Sequence, residues 1–162
     1  MVRDVQQQDV QAICDIYNHY ITNTVITFEE SKVNAQDIAT RISSVEQSGL
    51  PWLVVEDSKG EIVGYAYASP WRERFSYRFS VEITVYLSPT HTGKGLGAQL
   101  YQALFSKLKA TKVHSVIGGI TLPNAASVAV HEKFGLEKVA HFKEVGYKFE
   151  QWLDVGYWQG NL

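Results

Sequence analysis

The sequence predicts an α/β fold, a mixed sheet with helices on both faces, and three observations predict it. Helical and strand periodicities mix along the chain in the order helix, helix, strand, strand, strand, helix, strand, helix, strand, strand, with a small strand ahead of them at residues 2–5. Residues 80–97, SVEITVYLSPTHTGKGLG, pass from a period of two into a glycine-rich loop and then into the helical spacing Leu96, Leu100, Leu104, Leu108. The chain is 162 residues long and 45% hydrophobic, enough to bury a core in one domain spanning residues 1–162.

Composition removes several classes. A net charge of −2 without a block of like charges argues against a nucleic-acid surface. No apolar run reaches the ~18 residues of a membrane span, and MVRDVQQQDV lacks the apolar centre of a signal peptide, so a cytoplasmic protein with no membrane partner is expected. The single cysteine, Cys14, excludes an internal disulfide and falls at helical spacing with Val10, Ile13 and Tyr17, the pattern of a buried thiol.

Asp9 stands where an N-cap would for a helix over residues 10–22, striped by Val10, Ile13, Cys14, Tyr17 and Tyr20. A polar link containing Phe28 follows. Asn34 caps a second helix carrying Ile38, Ile42 and Val45, with Asp37 in its first turn and Gly49 at its end. Residues 52–56 and 61–69 read as strands joined through Asp57 to Gly60, where glycine supplies the strained turn position. WRERFSYRFS is a loop of arginines among aromatics. Residues 113–120 form a strand with Gly118 and Gly119 inside it, a place for a close approach. Residues 124–133 form a short helix stopped by Gly135, and residues 136–145 and 152–158 are the last strands.

In residues 80–97, Val81, Ile83, Val85 and Leu87 share one face and Glu82, Thr84 and Tyr86 the other; Pro89 ends the ladder. Gly93, Gly95 and Gly97 then open a helix whose free N–H groups suit an anion. Alone, such a loop is equally a tight strand-to-helix connection. It is not a P-loop, since Gly93-Lys94 is followed by Gly95 rather than Ser or Thr. It is not a dinucleotide fingerprint either, lying past mid-chain with no acid near residues 115–117.

VYLSP, TGKGLG and PNAASVAVHEKFGL resemble the acetyl-CoA-binding half of the GNAT superfamily of N-acetyltransferases, and the resemblance covers the chain in element order. IYNHYI, PWRER, ITVYLSP, GLG, LPNAASVAVHEKFG and WLDVGYWQ are similar to its phosphinothricin and methionine sulfoximine N-acetyltransferase branch. The resemblance implies a mostly antiparallel sheet with one splayed strand pair, acetyl-CoA as co-substrate, and no metal. It implies a cofactor site of Val85, Tyr86, Leu87, Gly93, Lys94, Gly95, Leu96, Gly97, Ala98, Asn124, Ser127 and Lys133, with the Val85 N–H as oxyanion donor. Thr92 departs from the Gln or Arg usual at the loop's start, a small loss where backbone N–H groups do the holding.

Acetyl transfer needs a neutral amine beside the thioester, donors for the oxyanion and a proton for the thiolate. Glu82 reads as a solvated strand residue or, by resemblance, as the base; His131 reads as a partly buried helix residue or, by its place in the motif, as an acid or as a helper of Glu82. The other four histidines, His19, His91, His114 and His141, have no metal-ligand spacing. For an amino acid with a second polar group, Arg72, Arg74 or Arg78 offers a guanidinium fork, and PWRER aligns Arg74 with the branch's substrate arginine. Phe28, Phe75, Ser76, Tyr77 and Tyr86 complete the expected substrate set. The activity implied is acetylation of the α-amine of a small amino-acid analogue; a protein N-terminal acetyltransferase and a non-catalytic acetyl-CoA sensor are the alternatives. The aromatic ending, with Trp152, Tyr157 and Trp158, is either monomer core or a homodimer surface.

Overall fold

The computed structural model describes residues 1–162. In chain order the elements are β1 (Val2–Asp4), α1 (Val10–Asn23), α2 (Ala35–Gln47), β2 (Trp52–Glu56), β3 (Ile62–Pro70), β4 (Ser80–Leu87), α3 (Leu96–Lys109), β5 (Ser115–Leu122), α4 (Ala125–Lys133), β6 (Glu137–Lys148) and β7 (Gln151–Asn161). The strands make one seven-stranded sheet in the order β1-β2-β3-β4-β5-β7-β6. Every neighbouring pair is antiparallel except β4 with β5.

Alternation along the central strands feeds two cores. Leu53, Val55, Ala66, Ala68, Val81 and Ile83 turn to α3 and pack on Leu100, Tyr101, Leu104 and Leu108. Val54 and Tyr65 turn the other way, with Trp52, onto Ile13, Tyr17 and Ile21 of α1 and Ile38 and Ile42 of α2. Period two in the strands thus meets period 3.6 in the helices on each face. Cys14 is buried in the second core, a small apolar group as its spacing implied.

Asn34 caps α2 as expected, accepting from the Asp37 N–H at 2.8 Å. Asp9 does not cap α1. Its side chain, 3% exposed, is taken by the Arg3 fork at 2.8 and 2.9 Å and by the Gln6 N–H at 2.7 Å, and a 3-10 turn over Gln7–Asp9 leads into the helix instead. Burial alone would raise the Asp9 carboxyl, but Arg3 and Gln6 hold it below its ordinary value. Arg3 also reaches Glu56 at 2.6 Å, so this network ties β1 to β2 and to the start of α1.

The last two strands are longer than their apolar pattern suggested. β6 and β7 pair from Glu137↔Gln159 to Lys148↔Gln151, with shifts between Lys138 and Ala140 and between Phe142 and Gly146. They turn through Phe149 (φ 50°) and Glu150 (φ 59°), a pair of left-handed residues without the Asn-Gly that would announce a two-residue hairpin.

Candidate active site

β4 and β5 pair over only three rungs, Ser80↔Ser115, Val81↔Val116 and Glu82↔Ile117, and then part. Beyond the last rung β4 keeps β3 alone, down to Gly64↔Leu87. The Trp71 N–H donates to the Ser80 carbonyl and the Ser88 N–H to the Val63 carbonyl, so even-numbered positions of β4 spend their backbone groups on the β3 side. Val85 and Leu87, at odd positions, face the gap. The Leu87 carbonyl accepts from the Tyr20 hydroxyl there.

A cavity of about 270 Å³ opens at the parting, walled by β4 from Glu82 to Tyr86, by Gly119, Ile120 and Thr121 of β5, by Ile26, Thr27 and Phe28, and by Tyr101, Asn124, Ser127, His131, Val155 and Tyr157. Gly118 and Gly119 explain how it fills. A Cβ on Gly118 would stand 2.5 Å from the His131 ring; one on Gly119 would stand 3.1 Å from the Tyr157 ring and 3.4 Å from Glu82 Oε1. Adjacent strand residues point to opposite faces, so the two glycines admit His131 from the α3–α4 face and Glu82 from the other. The gap between the strands lets both reach one space.

The Glu82 carboxylate carries no hydrogen bond from the protein; burial raises its pKa, and the Arg72 charge partly offsets that. His131 is 3% exposed. Its Nδ1 lies 2.7 Å from the Ser127 carbonyl, which only accepts, so the neutral ring carries its proton there. Nε2 then accepts from the Tyr101 hydroxyl at 3.1 Å. Burial lowers the pKa of His131, favouring that neutral form. Both ring nitrogens are therefore engaged inside the protein, and the ring offers no free N–H to the cavity.

Next to the cavity runs a groove of about 450 Å³ along α3 and α4. Val85, Tyr86, Leu87, Gly93, Gly95, Gly97, Ala98, Asn124, Ser127 and Lys133 all line it; Lys94 and Leu96 do not. Gly93 (φ 73°) and Gly95 (φ 77°) hold left-handed conformations that leave the first N–H groups of α3 free, and no side chain caps that helix end. An anion seated there meets backbone donors and the positive end of α3, and an extended chain from it meets the Val85 and Leu87 edge, the fit that acetyl-CoA requires. The spacing did not single out Tyr20, Ile26, Ala126, Ala129 and Val130, which also line the groove. Ala126, Ala129, Val130 and Lys133 lie at i, i+3, i+4 and i+7, one face of α4, and that period was a readable signal.

The expected substrate residues separate. Phe28 and Tyr86 line the cavity. Arg72, Arg74 and Tyr77 line a neighbouring cleft with Pro70, Trp71 and Glu73. Arg72 is the arginine whose charge reaches Glu82 and Tyr157, and it lies 4.4 Å from the Trp71 ring centre. Arg74 precedes a 3-10 turn over Phe75–Tyr77 that carries the chain outward, leaving Phe75 76% exposed and Phe75 and Ser76 outside both spaces. Arg78 is spent on the Phe75 carbonyl at 3.1 Å and on the Phe75 and Phe79 rings. Trp158 is buried core, Trp152 is exposed, and Tyr157 walls the cavity, so the aromatic ending serves three purposes. No cluster of three or more His, Cys, Asp or Glu stands at metal-binding distance, and no helix is long and apolar enough to cross a membrane.

The sequence model described as acetyltransferase (GNAT) domain matches residues 2–156. A phosphinothricin N-acetyltransferase of Streptomyces viridochromogenes is 39% identical over 158 residues, covering 98% of this chain and 85% of that protein. An L-methionine sulfoximine/L-methionine sulfone acetyltransferase of Pseudomonas paraeruginosa is 36% identical over 161 residues, covering 99% and 94%. A GNAT superfamily phosphinothricin acetyltransferase from Sinorhizobium meliloti, solved in complex with AcCoA, superposes with a TM-score of 0.97 at 36% identity, covering 100% of this chain and 88% of that one.

Proposed function

This chain belongs to the GNAT acetyltransferase family, and from that premise we propose that it acetylates the α-amine of a small amino-acid analogue of the methionine sulfoximine, methionine sulfone or phosphinothricin type. It is an acetyl-CoA-dependent N-acetyltransferase with the GNAT fold. The observation that carries the choice of acceptor is the size of the cavity holding Glu82: about 270 Å³ walled on several sides suits an amino acid. Names carried by relatives point to the same class.

Acetyl-CoA supplies the activated acetyl group. Glu82 takes the amine's proton, directly or through one water, and passes it to solvent; the Val85 N–H faces the gap, where the carbonyl oxygen of the acetyl group gains charge. On the opposite face His131 and Tyr101 close the cavity wall as a bonded pair; the hydroxyl proton is spent on Nε2, so the departing sulfur takes its proton from solvent. An ordinary thiol has a pKa near ~8.5, so the sulfur leaves as a thiolate and is protonated on release. Arg72, with Arg74 beside it in the neighbouring cleft, answers a second anionic or tetrahedral group of the acceptor. With acetyl-CoA as co-substrate, we assign the work to the cytoplasm and the whole of residues 1–162 to one catalytic domain.

Thiol release from acetyl-CoA tests this with methionine sulfoximine, methionine sulfone, phosphinothricin, ordinary amino acids, a polyamine and an N-terminal peptide. Turnover centred on the first three is expected. Turnover with the peptide alone would replace this reading by the N-terminal one, and acetyl-CoA binding without any turnover would leave a sensor.

We also propose a homodimer through the β6–β7 hairpin, whose Val139, Phe142, Val145, Tyr147, Phe149 and Trp152 are each about half exposed or more. Sedimentation equilibrium is expected to show a two-chain species, and Trp152→Asp, at a 65% exposed position, to weaken it. A monomer at all concentrations would refute this.

A further inference from the structure

Lys148 is 1% exposed on β6, yet it forms no ion pair. Its Nζ donates to one group, the Thr27 carbonyl, at 2.8 Å, across 121 residues of chain. The Phe149 ring lies 5.1 Å away, and Glu29 and Glu30 act on the ammonium only from a distance. An ammonium drawn out of water at such a site costs stability that a methionine of similar length would not.

What it holds is the outer wall of the acceptor cavity. Thr27 is gripped twice, at its carbonyl by Lys148 and at its hydroxyl by Tyr17 at 2.9 Å. Tyr17 also bonds Glu29, which the Arg41 fork holds at 2.6 and 2.8 Å. Ile26 and Phe28, on either side of Thr27, face the cavity. The Phe28 ring rests where Gly146 lacks a side chain, since a Cβ there would stand 2.4 Å from it. Segment 26–28 has no regular structure of its own, so its shape is set by α1 on one side and by the β6–β7 hairpin on the other.

We infer that Lys148 is a positioning residue: its bond to Thr27 fixes the 26–28 wall and thereby tunes acceptor affinity, without touching acetyl-CoA or the reacting atoms. The kinetic part of this rests on the acetyltransferase reading above; the clamp itself does not. Lys148→Met keeps the packing and removes the donor. Amide hydrogen exchange in residues 24–30 is expected to quicken about tenfold or more in this variant, with α3 and β4 unchanged. With the best acceptor, KM is expected to rise about tenfold, kcat to stay within about threefold, and KM for acetyl-CoA to stay unchanged. Gly146→Ala, which pushes Phe28 without disturbing the ammonium, is expected to show the same split. Unchanged exchange in 24–30 overturns the clamp. Quickened exchange with an unaltered acceptor KM, or a joint fall in kcat and both affinities, overturns the link to acceptor binding. If wild type turns over no acceptor, the proposed function fails while the exchange result still decides the clamp.

Discussion

Glu82→Gln is expected to lower kcat by about 10²- to 10⁴-fold, the usual worth of a general base, while acetyl-CoA binds as before. The substitution is isosteric and still fits over Gly119, and no protein hydrogen bond to the carboxylate is lost with it. Only the proton-accepting charge goes. Binding is spared because Glu82 does not line the cofactor groove, which is made by β4 from Val85 to Leu87, the glycine loop and α4. The pH profile gives the sign. Only the ionised carboxylate accepts a proton, and burial has raised its pKa, so the wild-type rate falls as pH drops through that raised value. The Gln variant should lose that limb of the profile. Calorimetric titration with acetyl-CoA and kcat/KM against pH check the two halves. A Gln variant with wild-type turnover would remove Glu82 from the chemistry.

Gly118→Ala is expected to cost about 1–3 kcal/mol of stability and, by moving the His131–Tyr101 pair, up to about 10²-fold in turnover. The added methyl would lie 2.5 Å from two atoms of the His131 ring, which is pinned by the Ser127 carbonyl and the Tyr101 hydroxyl and has no slack to give. A double-mutant cycle isolates the cause. In a His131→Ala background the same methyl meets empty space, so Gly118→Ala there should cost less than about 0.5 kcal/mol, and the difference is the coupling. Urea unfolding of the four proteins provides the numbers. Equal costs in both backgrounds would show that Gly118 is needed for some reason other than the ring.

Much of this fold is visible in the amino acids because local chemistry and tertiary context agree. Residues 80–87 alternate cleanly since both faces are covered by different partners, and Asn34 with Asp37 forms a capping box that needs nothing distant. Asp9 misleads because Arg3, six residues away and outside the helix, competes for the same carboxylate and wins with two charge-assisted bonds. The Phe149-Glu150 turn is invisible because its left-handed pair is imposed by the long strands rather than by glycine. At the site, the glycine loop and Glu82 were legible from pattern and resemblance. Tyr101 was not, since it sits within the apolar stripe of α3, and only the position of His131 distinguishes its hydroxyl from core. Arg72 and Arg74 are two residues apart in a loop, where no periodicity says which charge acts on Glu82. Thr27 and Lys148 meet across almost the whole chain, and nothing local in either segment announces it.

The three rungs between β4 and β5 carry a consequence beyond catalysis. They are the only strand pairing that joins the four-stranded and three-stranded halves of the sheet, and beyond them the halves meet through the shared core on α3. A ligand lying in the open seam and bonding to the β4 edge acts as mortar, and by mass action it stabilises the folded chain by about 2.7 kcal/mol at a hundredfold excess over its Kd. The unfolding midpoint of such a protein then rises with the concentration of its acetyl donor.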